Sequence, residues 1–433
     1  MTNQKLRAAM IGGTLALGLA GAANADAQDA AAASALRLSG FGTVGASHLE
    51  SSEPWGFRRE VTQANNTGGW RLDTDSRLGL QANYTVNPSL AFVGQAILER
   101  RVASAPPIQS LEWAFLSIHP AADWTIRVGR YSPDIYLISD YRNVGFAYPW
   151  VRPNVEMYSL LAVNSLDGAD VEKAWKAGDA RLKAKLLGGT GHEHAPGAQG
   201  QADSQVSISP VFAGVVSAED AGLLLRATLA HARVSLGPMP WKDQLRQGLA
   251  QAALLPNPQI ASQARSLSAG LDPDSGSTTY FALGASYEAG DWFASGEAAQ
   301  INSDLSYAAV HTAYLSLGRH FQDVTLFAMV GLARSRHTPP GAPQWAAQLT
   351  PQVGPVISQQ LQALGTAAAG SVSSTVDQRS LSLGSRYDLN AQVDVKFQWD
   401  HFWVGANGSS EWGVRTFDPG HADVLSITMD FVF

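Results

Sequence analysis

Three groups of residues in this 433-residue chain are of types that could do chemistry. His192-Glu193-His194 offers two imidazoles and a carboxylate, the donors of a zinc site. A zinc-binding HExxH sets its histidines four apart on one helix face, and the Gly-rich surroundings here point instead to a solvated loop tip. His231, His311, His320 and His401 could each activate a serine such as Ser316 or Ser382. Neither a GxSxG elbow nor a Gly-rich phosphate loop accompanies them, and a Ser-rich chain brings such pairs together by chance. With no cysteine, thiolate metal sites and Cys nucleophiles are excluded. The expectation is therefore a protein that is not an enzyme, with no catalytic residue, metal or cofactor.

The third group acts through charge. Arg77, Arg127, Arg130, Arg181, Lys183, Arg226, Arg386 and Lys396 recur along the chain, and Asp134, Asp140, Arg142, Arg152 and Glu156 gather in residues 131–164, where Pro133, Pro149 and Pro153 limit flexibility. Lining a narrow low-dielectric path, a basic ladder favours small anions, whereas acids facing it create a transverse field with mild ionic selectivity. The plainer alternative is that these cations are solvated and paired with Glu99, Glu112 and Asp394.

The elements that must position these charges are strands. In Arg77–Val86, Leu78, Leu80, Ala82 and Tyr84 fall on one face and Arg77, Gly79, Gln81 and Asn83 on the other. The same split separates Trp124, Ile126 and Val128 from Thr125, Arg127 and Gly129, and Val393, Val395, Phe397 and Trp399 from Asp394, Lys396, Gln398 and Asp400. About sixteen such segments alternate between short turns, such as Ala177-Gly178-Asp179 and Ala289-Gly290-Asp291, and long connections near 49–75, 131–164, 190–205, 235–277, 337–374 and 404–421. Within two of the long ones, Trp241–Leu255 and Pro355–Gly370 predict helices carried on loops.

Charged residues make up only 15% of the chain, too few for an average soluble domain, and past the N-terminus no apolar run approaches the roughly 20 residues of a membrane helix. Residues 1–27 read as a secretory signal, with Lys5 and Arg7 before an apolar stretch and cleavage expected after Ala25 or Ala27. The net charge of −7 disfavours nucleic acid as a partner. In hydrocarbon a sheet must close on itself, because each unpaired backbone group costs several kcal/mol. An apolar register with few charges and aromatics near strand ends (Tyr84, Trp124, Tyr287, Trp292, Tyr387, Trp399, Phe433) fits lipid contact. The expected fold is an all-β transmembrane antiparallel barrel over residues 28–433, with short periplasmic turns, long extracellular loops and inward cations standing in water.

These features together resemble a Gram-negative outer-membrane porin, specifically a poorly characterised proteobacterial porin group. The likeness rests on the signal, the opening strand LRLSGFGTVGAS, the last strand VLSITMDFVF ending in Phe433, and the stretch GRYSPDIYLISDYRNVGFAYPWVRPNVEMY followed by SLDGADV. It implies a passive diffusion channel for small hydrophilic solutes or ions in outer-membrane lipid, with residues 131–164 folded inward as a constriction loop. It further implies Phe433 as the signal to the barrel-assembly machinery and a homotrimer. The candidate second-loop latch, Val102–Gln109, departs from the family pattern in being short and Pro-rich. The alternatives are an outer-membrane barrel enzyme or a structural barrel whose loops bind a partner.

Overall fold

The computed structural model describes residues 35–433 apart from 54, 65, 161–163, 197–202, 272, 306–307, 337–342, 373–374, 410–411 and 413–417. The leader expected over residues 1–27 lies outside the described residues. Sixteen long strands account for the alternating segments. They are β1 (Leu36–Ser51), β2 (Arg77–Asn87), β3 (Leu90–Glu99), β4 (Leu111–Ala121), β5 (Trp124–Tyr131), β6 (Leu166–Ala177), β7 (Ala180–Ala195) and β8 (Ser204–Asp220). They continue with β9 (Leu223–Leu236), β10 (Ser275–Ala289), β11 (Trp292–Ser303), β12 (Val310–Phe321), β13 (Val324–Ser335), β14 (Val376–Asp388), β15 (Val393–Ser409) and β16 (Gly420–Val432).

Each strand pairs antiparallel with its neighbours in sequence, and β1 closes the ring between β2 and β16, from Phe41 opposite Val432 to Ser51 opposite Ala422. A three-residue strand, Gly69–Arg71, extends the β2 side of β1, and a small ribbon joins Gly56–Phe57 to Asn66–Thr67. Closure leaves no edge to pair with lipid or another chain, which is what a sheet in hydrocarbon requires. The two registers behave as expected: Leu78, Leu80 and Tyr84 are exposed on the outside of β2, whereas Arg77 and Gln81 are buried within. The chain is a transmembrane antiparallel β-barrel.

Short turns join the strands at one end, and at two of them Gly178 (φ 64°) and Gly290 (φ 60°) adopt a left-handed backbone that residues with a Cβ rarely take. At the other end the strands run further than their patterns indicated. β7 reaches Ala195, β8 starts at Ser204 and β15 reaches Ser409, so the connections near 190–205 and 404–421 are shorter than expected. Cross-strand hydrogen bonds carry these polar extensions where no hydrophobic alternation marks them.

Among the described residues four α-helices decorate the loops: α1 (Val155–Tyr158), α2 (Pro240–Ala252), α3 (Pro258–Gly270) and α4 (Trp345–Val372). The first expected loop helix is α2. The second is longer than expected, because α4 joins two helical pieces across Gly354 (φ 78°), with Pro351 and Pro355 flanking the kink. α3 was not anticipated; Pro258 opens it and Asn257 caps it, accepting from Gln259 N and Ile260 N. The three long helices share one core, with Leu249, Ile260, Leu267, Trp345 and Leu349 buried together.

Candidate functional site: the loop inside the barrel

The chain leaves β5 at Tyr131 and enters β6 at Leu166, and the intervening loop lies inside the barrel. Its apolar residues explain why: Ile135, Tyr136, Leu137, Ile138, Trp150, Met157 and Tyr158 are buried in one cluster with wall residues such as Tyr280, Tyr314 and Phe327. The loop is irregular apart from a 3-10 turn at Gly145–Ala147 and the single turn of α1, where Asn154 Oδ1 accepts from Met157 N at 3.0 Å. Irregular backbone away from water must find partners elsewhere, and here the barrel wall supplies them. Leu137 N donates to Glu297 on β11 at 2.7 Å, and Val151 N to Gln398 on β15 at 2.9 Å. Arg77 Nε on β2 donates to Asn143 O at 2.6 Å, Arg386 Nη1 on β14 to Phe146 O at 2.6 Å, and Lys396 Nζ on β15 to Gly145 O at 2.5 Å. Gly145 approaches the wall so closely that a Cβ there would run into the Asp430 carboxylate and the Thr43 hydroxyl.

Ion pairs fasten the loop on two opposite sides of the barrel. Asp134 meets Lys185 on β7 at 2.7 Å and Arg226 on β9, and Lys185 also reaches Glu172 on β6 at 3.0 Å. Burial opposes ionisation of Asp134, but the two cations outweigh it and hold the carboxyl well below the usual range. On the opposite wall Arg152 donates Nε and Nη2 to the two oxygens of Asp75 at 2.9 and 2.7 Å and Nη1 to Asp400 at 2.6 Å. Its guanidinium also stands 5.0 Å from the centre of the Phe57 ring, and the side chain is 1% exposed. Among the described residues, no cation stands against Glu156. It accepts from Gln378 Nε2 at 2.8 Å and Asn154 Nδ2 at 2.7 Å, and burial pushes its carboxyl up despite those bonds.

A file of rings links loop and wall. Centroids run from Tyr148 to Trp150 (5.7 Å), Tyr314 (6.3 Å), Tyr158 (6.0 Å), Tyr136 (4.7 Å) and Tyr280 (6.1 Å). Glu297 anchors its middle, accepting from the hydroxyls of Tyr158 and Tyr314.

The predicted charges fall into distinct settings. Arg77, Arg127, Arg226, Arg386 and Lys396 are inward, and the loop or a neighbouring acid covers each, as Asp170 covers Arg127 at 2.8 Å. The expectation that inward cations stand in water fails for these, because the loop or, for Arg127, the wall carboxylate of Asp170 occupies the space in front of them. Arg181 is exposed, Lys183 lies 3.8 Å from Glu172, Arg142 donates to Asn164 at 2.5 Å, and Asp140 is exposed. Arg130 shares the outward register of Trp124 and Val128 and pairs with Asp167 on β6 at 2.7 Å. Phe433 closes the ring, exchanging backbone bonds with Gly40 at 2.9 and 3.0 Å.

His192-Glu193-His194 is a strand segment of β7 and not a loop tip. Alternation turns the two histidines outward, toward Ser207 (3.1 Å) and Gln109 (3.1 Å), and turns Glu193 inward, where it accepts from Asn164 N at 3.1 Å. Among the described residues, no three His, Asp or Glu gather so that they could hold a metal ion. His311 and His401 face outward, whereas Ser316 and Ser382 are buried on the inner face; Ser316 accepts from Trp150 Nε1 at 2.8 Å, and His401 stands 2.8 Å from Asp423. Sequence reasoning missed the wall partners Asp75, Lys185, Glu297, Gln398 and Asp400. Their inward register was legible, but which of them the loop would meet was not.

No protein-family model and no curated protein matches the chain. Among solved structures it is similar to an anion-selective porin from Comamonas acidovorans, at 11% identity and a TM-score of 0.50 over 92% of this chain and all of that one. It also aligns with Salmonella typhi OmpF in complex with daunomycin (13% identity, TM-score 0.46, 92% of this chain and 97% of that one) and with Pseudomonas putida OprB (9%, 0.46, 92% and 94%). What the Comamonas likeness carries is architecture: the chain has the porin fold.

Proposed function

We propose that the chain is an outer-membrane diffusion channel, not an enzyme, and that it passes small hydrophilic solutes or ions along a path narrowed by residues 131–164. The observation that carries this is the loop itself, lodged inside a closed sixteen-stranded barrel and bonded to wall residues on opposite sides, Lys185 and Arg226 at one side and Asp75 and Asp400 at the other. A barrel of this size is too wide for wall side chains alone to fill. On this proposal residues 1–27 export the chain, Phe433 presents it to the assembly machinery, and three copies associate in the membrane.

Contact pairs neutralise most of the interior charge, so selectivity falls to the charges that water reaches, among them Arg181 and Lys183 near the short-turn mouth, where Glu219 and Lys176 lie opposite Arg181, and Asp140 on the loop. Arg130 has no part in it, being on the outer face.

The test is single-channel conductance and reversal potential of the refolded mature chain under a KCl gradient. Steady conductance with a reversal potential toward chloride is expected. Arg181→Glu with Lys183→Glu should move that potential toward potassium while conductance persists. A folded barrel that passes no current would overturn the channel.

A further inference from the structure

Of the ten histidines, seven sit in the outward register at the long-loop end of their strands. They are His48 on β1, His192 and His194 on β7, His231 on β9, His311 on β12, His401 on β15 and His421 on β16. Outward arginines share this rim: Arg130, Arg233, Arg334 and Arg379. So do four acids, Glu50, Asp167, Asp377 and Asp423. The opposite rim meets the membrane with rings, Tyr84, Trp175, Tyr287 and Tyr387 among them, and its cations Lys173 and Arg319 lie over Trp124 and Trp292.

Side chains of this kind are costly in hydrocarbon, so the histidine rim stands at the level of the headgroups. With the imidazoles neutral, the four arginines and four acids on the strands balance, and Arg336, just past β13 and bonded to Asn302, adds one cation. Each imidazole that gains a proton tips the rim further positive, and histidine is the side chain that changes charge between about pH 5 and 8. The surroundings leave most of them open to an outside partner. His231 faces Thr279 and Phe212, and His311 lies between Gln300 and Arg334. His48 faces Trp70 and Leu425, with Glu50 beside it. His192 is next to Ser207 with Asp167 nearby, and His194 is next to Gln109. His401 pairs with Asp423 among Trp399, Trp403 and His421.

We propose that this rim docks the phosphate-bearing lipid headgroups of the leaflet it faces, and holds them more tightly as its imidazoles protonate. The charge that appears on the rim is complementary to phosphate, and the surface is continuous with the apolar belt that holds the acyl chains. The inference rests on the membrane placement proposed above but not on conduction.

The experiment mixes the mature chain, refolded in zwitterionic detergent, with a bisphosphorylated glycolipid or with the same glycolipid stripped of phosphate. Native mass spectrometry counts lipids per chain at about pH 7.5 and about pH 5.5. Retention of the phosphorylated lipid should rise roughly tenfold at the lower pH and that of the stripped lipid should not. A variant carrying His192→Gln, His231→Gln, His311→Gln and His421→Gln should lose the rise and keep wild-type conductance. Equal retention of both lipids, a rise that survives in the variant, or a pH-dependent association of chains without lipid would each overturn the proposal. If the variant does not refold, a flat pH response of the unmodified chain decides against it. Loss of conductance with lipid selectivity intact would instead count against the channel.

Discussion

The loop of residues 131–164 and the helices α2, α3 and α4 leave the same end of the barrel, yet different forces order them. The helices bury Leu249, Ile260, Trp345 and Leu349 against one another, with Trp345 Nε1 donating to Gln263 at 2.7 Å, and their backbones satisfy themselves. The inner loop has almost no regular structure and takes its conformation from the wall, through Arg152, Asp134 and the lumen side chains that reach its carbonyls. An element that folds on its own core can be altered without reaching the barrel; one that folds on its surroundings cannot.

Arg152→Met should show that dependence most strongly. It strands Asp75 and Asp400 in a dry site, which costs about 3–5 kcal/mol, and frees the loop from one wall. Chemical unfolding in detergent should report the loss, and single-channel records should become noisier or larger in conductance. Adding Asp400→Asn should recover part of the stability, and no recovery would mean that the carboxylates are not what the arginine serves. Leu249→Ala should cost the helical assembly about 2–5 kcal/mol and open it to protease, with barrel heat resistance and conductance unchanged. A change in conductance would erase the contrast between the two regions.

The smallest effect is expected at Glu156, which sharpens the comparison because among the described residues its side chain meets uncharged hydrogen-bond partners and no cation. Its carboxyl is raised above the ordinary value of 4.5 by burial. Below that value the group is protonated in both states. As pH climbs past it the unfolded chain ionises first, so stability falls until the folded carboxyl ionises too. Glu156→Gln should therefore flatten that slope and alter stability at neutral pH by about 1 kcal/mol or less. A large loss would mean that the ionised form is what the loop needs.

Strand register was open to inspection in the sequence because lipid enforces it: every second residue of β2, and of β15 from Val393 to Trp399, is apolar. The inner loop was identifiable through its prolines, aromatics and position between two strands. Its partners were not, since Asp400 and Lys185 differ from other inward polar residues only by where a distant segment comes to rest. The outward placement of Arg130 was within reach by counting from Trp124 and Val128. So was α3, whose Asn257-Pro258 start precedes Ile260, Ala264 and Leu267 at helical spacing. The length of α4 was hidden by Pro351 and the Gly354-Pro355 step, which break the pattern although helix continues on both sides.

The pairing of β1 with β16 also sets an order in time. Most strands find a partner synthesised just before them, but the outer edge of β1 waits for the end of the chain, and Thr43 bonds to Asp430 across 387 positions. Until the last strand is made, the sheet has two bare edges and no inside. Closure of the ring therefore requires β16, and a chain truncated before it would be an open, sticky sheet and not this barrel.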